Sequence, residues 1–132
     1  LLLSFFYYTE YKFYWVILHV GLVTFIADRF VLFLKKTISR KRPLIRVMNN
    51  EDKNPDMKHS FPSAHAANSM VSIFILVTVY HYSPLFFAFS IFAGIGRLIT
   101  LHHFLIDILG GWAIGFLIGL INLGCVYFYL SM

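Results

Sequence analysis

Four apolar segments of nearly membrane-spanning length constrain the fold of this chain more than any other feature. A transmembrane helix needs about 20 predominantly apolar residues. Segments of this kind cover residues 14–34, 62–80, 84–101 and 104–130. The pattern therefore predicts an all-α fold, a polytopic transmembrane helix bundle with four full spans.

The connections between these segments indicate the domain organisation. Ser83-Pro84 makes a tight break between the second and third segments. Pro62 suits the first turn of the second helix, where its missing N–H costs nothing. A polar loop over about residues 37–61 is the one long connection. Residues 1–8 are apolar but too short to span a bilayer, and we interpret them as an N-terminal helix fragment. We expect a single membrane-embedded domain over residues 1–132.

The composition supports a membrane protein and narrows its partners. Hydrophobic residues make up 59% of the chain, and charged residues make up 13%, about half the usual share in soluble domains. The net charge of +5 comes from one stretch in which eight cations face three acidic residues. One basic patch on an apolar protein favours an anionic substrate or lipid headgroups and argues against nucleic acid. The cations are Lys35, Lys36, Arg40, Lys41, Arg42, Arg46, Lys53 and Lys58.

Counting the spans places the polar residues that flank them on one side of the membrane. The first segment ends at Lys35 and the second begins just before His65, so both lie on the same side. The third segment returns to that side near Arg97, and the fourth leaves it from His103 and Asp107. We therefore expect these five side chains to converge on one face of the bundle.

Two groups of residues on this face have the chemistry of a phosphate site. Lys35 and Arg42 can bind phosphate oxygens, arginine through a planar fork and lysine as a point charge. Ser63, the backbone N–H of Ala64 and the positive end of the second helix can bind the same anion, and His65 can donate a proton to a leaving oxygen. The structural alternatives are cations that anchor the interface and an ordinary helix start.

A third group combines a cation, an imidazole and a carboxylate. His103 and Asp107 are four residues apart and would share a face of a helix. A carboxylate at one ring nitrogen fixes the tautomer and leaves the other nitrogen free to attack. His102 is the rival nucleophile, but on a helix it would lie roughly 140° away from Asp107. The structural alternative is an ion pair between Arg97 and Asp107.

These residues resemble the signature motifs of the type 2 phosphatidic acid phosphatase superfamily. The family carries Lys-x6-Arg-Pro, Pro-Ser-Gly-His and Ser-Arg-x5-His-x3-Asp. All three spacings fit here, across residues 35–107. Ala64 replaces the family's glycine and Gly96 its serine, so we expect fewer contacts to the phosphate oxygens without loss of function. The motifs read Lys35…Arg42-Pro43, Pro62-Ser63-Ala64-His65 and Gly96-Arg97…His103…Asp107.

The resemblance implies a role for each of these residues. It makes His103 the nucleophile that becomes phosphohistidine, Asp107 the residue that orients it, and His65 the acid that protonates the leaving group. It implies no metal and no cofactor. Family members have six membrane helices, so the resemblance implies further helices before Leu1. The phosphate-binding residues it implies are Lys35, Arg42, Ser63, Ala64 and Arg97.

The predicted function is hydrolysis of a phosphomonoester or pyrophosphate of an envelope lipid, with membrane lipids as the other partners. The candidates are lipid A phosphate, preferred because the chain is small, phosphatidylglycerol phosphate, undecaprenyl pyrophosphate and phosphatidic acid. The alternative is a noncatalytic protein that binds or transports anions; the apolar composition argues against a haloperoxidase-like use of the pocket. The positive-inside rule would place the basic loop in the cytoplasm. The family usually has its site outside, so we expect a bacterial inner membrane protein whose site faces the periplasm.

Three further features have structural interpretations. Gly111, Gly115 and Gly119 repeat at intervals of four and predict close approach of a neighbouring helix. Asp28 and Arg29 are adjacent, so we expect them to reach other helices and not to pair with each other. The acidic residues of the polar loop lack a calcium-binding pattern and are interpreted as solvated.

Overall fold

The computed structural model describes the backbone of residues 2–42, 59–100 and 102–132, and the side chains of the same ranges from residue 13 onward. Four helices account for most of it, and no β-strand occurs in these ranges beyond an isolated bridge between Lys41 and His59. The helices are α1 (Leu2–Ile38), α2 (Ala64–Thr78), α3 (Phe87–Ile99) and α4 (Leu105–Leu130), and a short 3-10 helix, Pro84–Phe86, precedes α3.

The all-α prediction is confirmed, but two details were wrong. The N-terminal residues are not a separate fragment, because α1 runs without interruption from Leu2 to Ile38. Helix α2 begins at Ala64 and not at Pro62, because Ser63 is its N-cap. The backbone of Ser63 is extended, and its hydroxyl accepts the N–H of Ala66 at 3.4 Å, as an N-cap side chain does.

Two of the helices are long and apolar enough to cross a bilayer. These are the part of α1 over Phe13–Ile38 and the whole of α4, each with 26 residues. Helices α2 and α3 are apolar but have only 15 and 13 residues. Helix lengths therefore bear out two of the four predicted full spans.

Helix α2 is the centre of the bundle and packs against α1, α3 and α4. Toward α1, a cluster of small and branched side chains forms the core: Val23, Ala27, Val71 and Ile75 are all buried. The fully buried Ala27 allows the two helix backbones to approach closely at this point.

The repeated glycines of α4 bring it against α2, as the sequence predicts. A β-carbon at Gly111 would lie 2.5 Å from the carbonyl oxygen of Ser63, and one at Gly115 would overlap the carbonyl oxygen of Ala67. No side chain larger than hydrogen fits at either contact without moving a backbone. The starts of α2 and α4 are consequently held together at the end of the bundle that carries the predicted site residues.

A hydrogen-bonded triad joins the helices at the opposite end. The amide nitrogen of Asn122 donates to Nε2 of His19 at 2.9 Å, so the proton of this imidazole lies on Nδ1. Nδ1 in turn lies 2.9 Å from the hydroxyl of Tyr80. These contacts link α1, α4 and the residues after α2. His19, which the sequence presents as an isolated histidine, is thus a structural residue.

Large apolar side chains cover the outer surfaces of α1, α3 and α4. They include Phe25, Phe33, Phe92, Ile121 and Phe128, each more than half exposed. Monomeric soluble proteins rarely expose contiguous apolar surface on this scale. The surface chemistry agrees with helices whose outer faces contact lipid.

Candidate active site

A cavity of about 710 Å³ opens at the end of the bundle where α1 and α3 end and α2 and α4 begin. Its wall combines cations, imidazoles, hydroxyls and one carboxylate. The cavity brings together Lys35, His65 and Arg97, three of the five side chains that counting the spans places on one face. The lining residues are Asp28, Lys35, Arg42, Ala64, His65, Asn68, Ser69, Ser72, Ala93, Arg97 and His102.

Three cations give the cavity its positive charge. Lys35 lies in the last turn of α1 and is 2% exposed, and Arg42 follows in the loop and is 7% exposed. Arg97 lies in the last turn of α3. Lysine and arginine are favourable at the negative ends of helix dipoles, and the N-terminus of α2 at Ala64 adds the positive end of its own dipole. The arrangement has the electrostatics of an anion site.

His65 lies one residue into α2 and contacts Arg97 across the cavity. Nη2 of Arg97 is 2.8 Å from Nδ1 of His65 and also contacts Nε2. Because a guanidinium can only donate, the contacted imidazole nitrogen must accept. An imidazole exposed in this wall, beside a cation that can bind phosphate, is in a suitable place for proton transfer to a bound phosphate ester.

His103 and Asp107 are neighbours, although a helix does not connect them. Helix α4 begins at Leu105, so His103 lies in the preceding turn and the helical spacing argument does not apply. Asp107 accepts the N–H of Phe104 at 2.7 Å, and this contact folds the turn back over the start of the helix. Nδ1 of His103 then faces Oδ2 of Asp107 at 3.8 Å, longer than a hydrogen bond but close enough for attraction.

The environment of His103 favours the neutral imidazole. The side chain is almost completely buried, and this burial lowers its pKa below the ordinary value. Asp107 opposes the shift, whereas the charges of Arg42 and Lys35 add to the lowering of the pKa. A neutral imidazole is the form that attacks phosphorus, so the environment suits a nucleophile.

His102 lines the cavity, whereas His103 is not among the lining residues. Nδ1 of His102 lies 2.9 Å from the carbonyl oxygen of Thr100, which can only accept, so this contact places the proton on Nδ1 and the lone pair on Nε2. The carbonyl oxygen of His102 also accepts a hydrogen bond from Arg42 at 3.5 Å. The rival nucleophile is therefore better oriented than the sequence indicates.

Ser63 and Ala64 differ in their access to the cavity. Ala64 is part of the wall, where its N–H belongs to the free first turn of α2. Ser63 is fully buried, its hydroxyl caps α2, and its N–H donates to the carbonyl oxygen of Asp107 at 2.9 Å. Ser63 thus joins the two helix starts, and its predicted contact with phosphate stays a prediction.

Arg40 is a site residue that the sequence analysis missed. Its Nη1 donates to Oδ1 of the fully buried Asp107 at 3.1 Å, and its guanidinium lies 4.6 Å from the ring centre of Phe104. Asp107 thus pairs with Arg40, whereas the sequence had suggested an ion pair between Asp107 and Arg97. A cation in a generally basic loop gives no sequence signal that singles it out.

A polar strip along α2 was also missed, although its spacing was visible. His65, Asn68, Ser69 and Ser72 follow one another at helical intervals in an otherwise apolar segment, and all four line the cavity. Spacings of three and four place side chains on one face of a helix. Asn68 donates to Oδ1 of Asp28 at 3.0 Å, so Asp28 reaches α2 as expected.

The expectation that Asp28 does not pair with Arg29 was wrong. Nη2 of Arg29 lies 2.6 Å from Oδ2 of Asp28, because the long arginine side chain folds back along the helix surface. The remaining basic residues Arg46, Lys53 and Lys58, Pro43, and the acidic residues of the polar loop lie outside the described residues.

Comparison with known proteins gives one match. The family model of the PAP2 superfamily matches residues 13–130, almost the whole chain. Neither the search of curated proteins nor the search of solved structures gave a match. The match covers α1 from residue 13 onward, the other three helices and every residue of the cavity, and the motif residues Lys35, Arg42, Ala64, His65 and Arg97 lie in its wall. The chain therefore belongs to the PAP2 superfamily, whose members are phosphatases.

Proposed function

We propose that this protein hydrolyses the phosphate ester of a membrane lipid through a phosphohistidine intermediate. Membership of the PAP2 superfamily implies phosphatase activity on phosphorylated substrates. The observation that supports a lipid is a second, apolar cavity of about 690 Å³ between α1 and α2. Asp28 and Ser72 line both cavities, so the cationic and apolar cavities adjoin at these two residues.

A cationic and an apolar cavity side by side suit an amphiphilic substrate. The phosphate would bind among Lys35, Arg42 and Arg97, and the hydrocarbon chain would lie in the apolar cavity along Val16, Val20 and Phe25. Apolar side chains dominate that cavity, so a hydrocarbon chain can pass into it from the bilayer without exposure to water. The other residues of its wall are Phe13, Ile17, Gly21, Thr24, Asp28, Ser72, Leu76 and Tyr82.

In the proposed reaction the lone pair of a His103 ring nitrogen forms a bond to phosphorus while the P–O ester bond breaks. His65 acts here as an imidazolium: it gives one of its two ring protons to the departing oxygen and becomes the neutral imidazole that can accept from Arg97. Water then attacks phosphorus, the P–N bond breaks, and His65 accepts the proton of that water. The cations and the Ala64 N–H neutralise the charge on the phosphoryl oxygens, which is the main contribution of a protein to phosphoryl transfer.

His102 is a second candidate for the nucleophile, because it lines the cavity and has its Nδ1 proton fixed on Thr100. In this alternative His103 and Asp107 support the loop that presents His102. Asp107 would then position His102 through the backbone of this loop. The proton transfers to and from His65 stay the same.

We further propose that all four helices cross the membrane, α2 and α3 together with their flanking residues, and that the site faces the periplasm of a bacterial inner membrane. Membership of the family and the two long apolar helices support a membrane protein. Replacing exposed Ser39 by cysteine in a Cys125→Ser background tests orientation. An impermeant maleimide should label the cysteine from the outside of intact cells. Labelling only after lysis would place the site in the cytoplasm.

The decisive experiment measures inorganic phosphate released from detergent-solubilised lipids by the purified protein. The panel contains lipid A phosphate, phosphatidylglycerol phosphate, undecaprenyl pyrophosphate and phosphatidic acid, with a water-soluble phosphomonoester as the reference. We expect faster release from at least one lipid than from the soluble ester. Binding of these lipids without any phosphate release would favour the noncatalytic alternative. Faster release from the soluble ester would contradict a lipid substrate.

A further inference from the structure

Asp28 is a carboxylate in an unusual position. It lies in the part of α1 that is apolar enough to cross a membrane, two turns before Lys35. Ionisable residues in such segments are costly and therefore mark a functional site by default. The mechanism proposed above makes no use of this carboxylate.

The orientation of Asp28 is fixed from two sides. Asn68 of α2 donates to Oδ1 at 3.0 Å, and Arg29 donates to Oδ2 at 2.6 Å. Only Asp28 and Asn68 of these three residues line the cationic cavity. The Asp28 side chain remains 26% exposed, and a carboxylate offers about four acceptor positions, so it can accept a further hydrogen bond.

Asp28 also lies where the substrate would pass from one cavity to the other. It and Ser72 form the boundary that both cavities share. Asp28 and Lys35 are seven residues apart. They therefore lie on the same face of α1, separated by roughly 10 Å along the helix axis. The part of a substrate that would contact Asp28 is thus the alcohol, between the phosphate and the hydrocarbon chain.

The charges at the two ends of the cationic cavity are opposite. Lys35, Arg42 and Arg97 attract the phosphate, whereas a second phosphate that reached toward Asp28 would meet a carboxylate, which can only accept hydrogen bonds and whose charge Arg29 offsets only in part. A hydroxyl group at that position would instead donate to the carboxylate. A site that hydrogen-bonds a substrate hydroxyl discriminates strongly against the analogue that lacks it.

We propose that Asp28 is a specificity-determining residue whose carboxylate accepts a hydrogen bond from a hydroxyl group on the alcohol part of the substrate and disfavours a second phosphate. The proposal rests on the phosphatase function proposed above. It narrows the substrate class to lipid phosphomonoesters that carry a hydroxyl group close to the ester oxygen.

Three probes test the proposal on the full chain in detergent. They are a 1-acyl-glycerol 3-phosphate, its 2-deoxy analogue, which lacks one hydroxyl, and an alkyl diphosphate of the same chain length. We expect kcat/KM for the hydroxyl-bearing probe to exceed that for the deoxy analogue roughly 10- to 100-fold, the range for a hydrogen bond to a charged group. The diphosphate should be the poorest substrate.

Two substitutions of Asp28 separate the hydrogen bond from the charge. In Asp28→Ala the preference for the hydroxyl should fall to about 1, and the diphosphate should improve relative to the deoxy analogue. Asp28→Asn keeps an acceptor of the same shape but removes the charge. This variant should keep part of the hydroxyl preference and show the improved use of diphosphate. It also preserves the test if the alanine variant does not fold.

Lys36→Gln is the control for a loss of positive charge from α1, because Lys36 is exposed and does not line the cavity. Both ratios should stay as in the unmodified protein. The inference fails if the unmodified protein does not distinguish the hydroxyl probe from its deoxy analogue, or if both Asp28 variants keep the original ratios. Absence of phosphate release from every probe and every lipid of the panel would instead remove the phosphatase function itself, and the inference with it.

Discussion

The backbone N–H of Ser63 donates a hydrogen bond to the carbonyl oxygen of Asp107 at 2.9 Å, across 44 positions of sequence. The bond joins the cap of α2 to the first turn of α4. It therefore holds the two sequence motifs that contain His65 and His103 in fixed positions relative to each other. The close contact of Gly111 with the same region leaves little freedom for either helix start to shift.

The first prediction concerns the nucleophile. His103→Ala should lower kcat by about 10³-fold or more, because a covalent route is lost when its nucleophile is removed. His102→Ala should retain measurable turnover. Phosphate release by the two variants is the measurement, together with acid-labile labelling of the protein by a ³²P-labelled substrate. The reverse result, with labelling lost only in His102→Ala, would assign the nucleophile to His102.

The second prediction is a pH dependence. Burial lowers the pKa of His103 from its ordinary value of 6.5, so the neutral, attacking imidazole persists as the pH falls below that value. The acid limb that His103 contributes to kcat/KM should therefore lie below pH 6.5. Asp107 raises this pKa, so Asp107→Asn should move the limb to still lower pH in the residual activity.

Comparing the two profiles removes the titration of the substrate phosphate, which affects both proteins equally. A limb that stays in place, or that moves to higher pH in Asp107→Asn, would contradict the assignment of that limb to His103.

The third prediction tests the ion pair between Arg40 and Asp107. Arg40→Gln leaves a fully buried carboxylate without its cation. Because the Arg40 side chain is a third exposed, we expect a loss of about 1–2 kcal/mol, below the roughly 3–5 kcal/mol for fully buried pairs. Lys36→Gln removes an exposed charge from the same region and should change stability by less than about 0.5 kcal/mol. Thermal unfolding in detergent measures both, and equal losses would contradict a specific pair.

The fourth prediction tests the contact between α2 and α4. Gly111→Ala forces a methyl group against the carbonyl oxygen of Ser63 and should cost about 1–3 kcal/mol, as overpacking does. The same substitution at Gly124, where the added carbon would meet open space beside α4, should stabilise α4 by roughly 0.5–1 kcal/mol. Thermal unfolding provides the comparison. If Gly111→Ala unfolds at the temperature of Gly124→Ala, the helices do not approach as described.

The sequence predicted the helical arrangement because it depends only on the lengths and the order of the apolar segments. Apolar length defines the helices, and counting them places Lys35, His65 and Arg97 at one end. The repeat of Gly111, Gly115 and Gly119 predicts the closest helix contact because only spacing is involved. Arg40 could not be identified in this way, since its role depends on where a loop residue lies relative to Asp107.

The proximity of His103 and Asp107 was predicted from helical spacing, yet it arises from a different cause. Helix α4 begins after His103, and a turn closed by the Phe104 N–H brings the two side chains together. The same turn invalidates the helical argument against His102. A shift of two residues in a helix start decides whether a spacing argument applies to residues such as His102 and His103. Local sequence patterns specify helix boundaries least well.

The shared boundary of the two cavities bears on how a reaction at this site would end. An alcohol released at the cations would already have its chain between α1 and α2, and it can diffuse sideways into the bilayer. With the lipid substrate proposed above, inorganic phosphate would be left among the cations of the other cavity. The two products would then separate into different phases, and re-esterification would require both to return to the site.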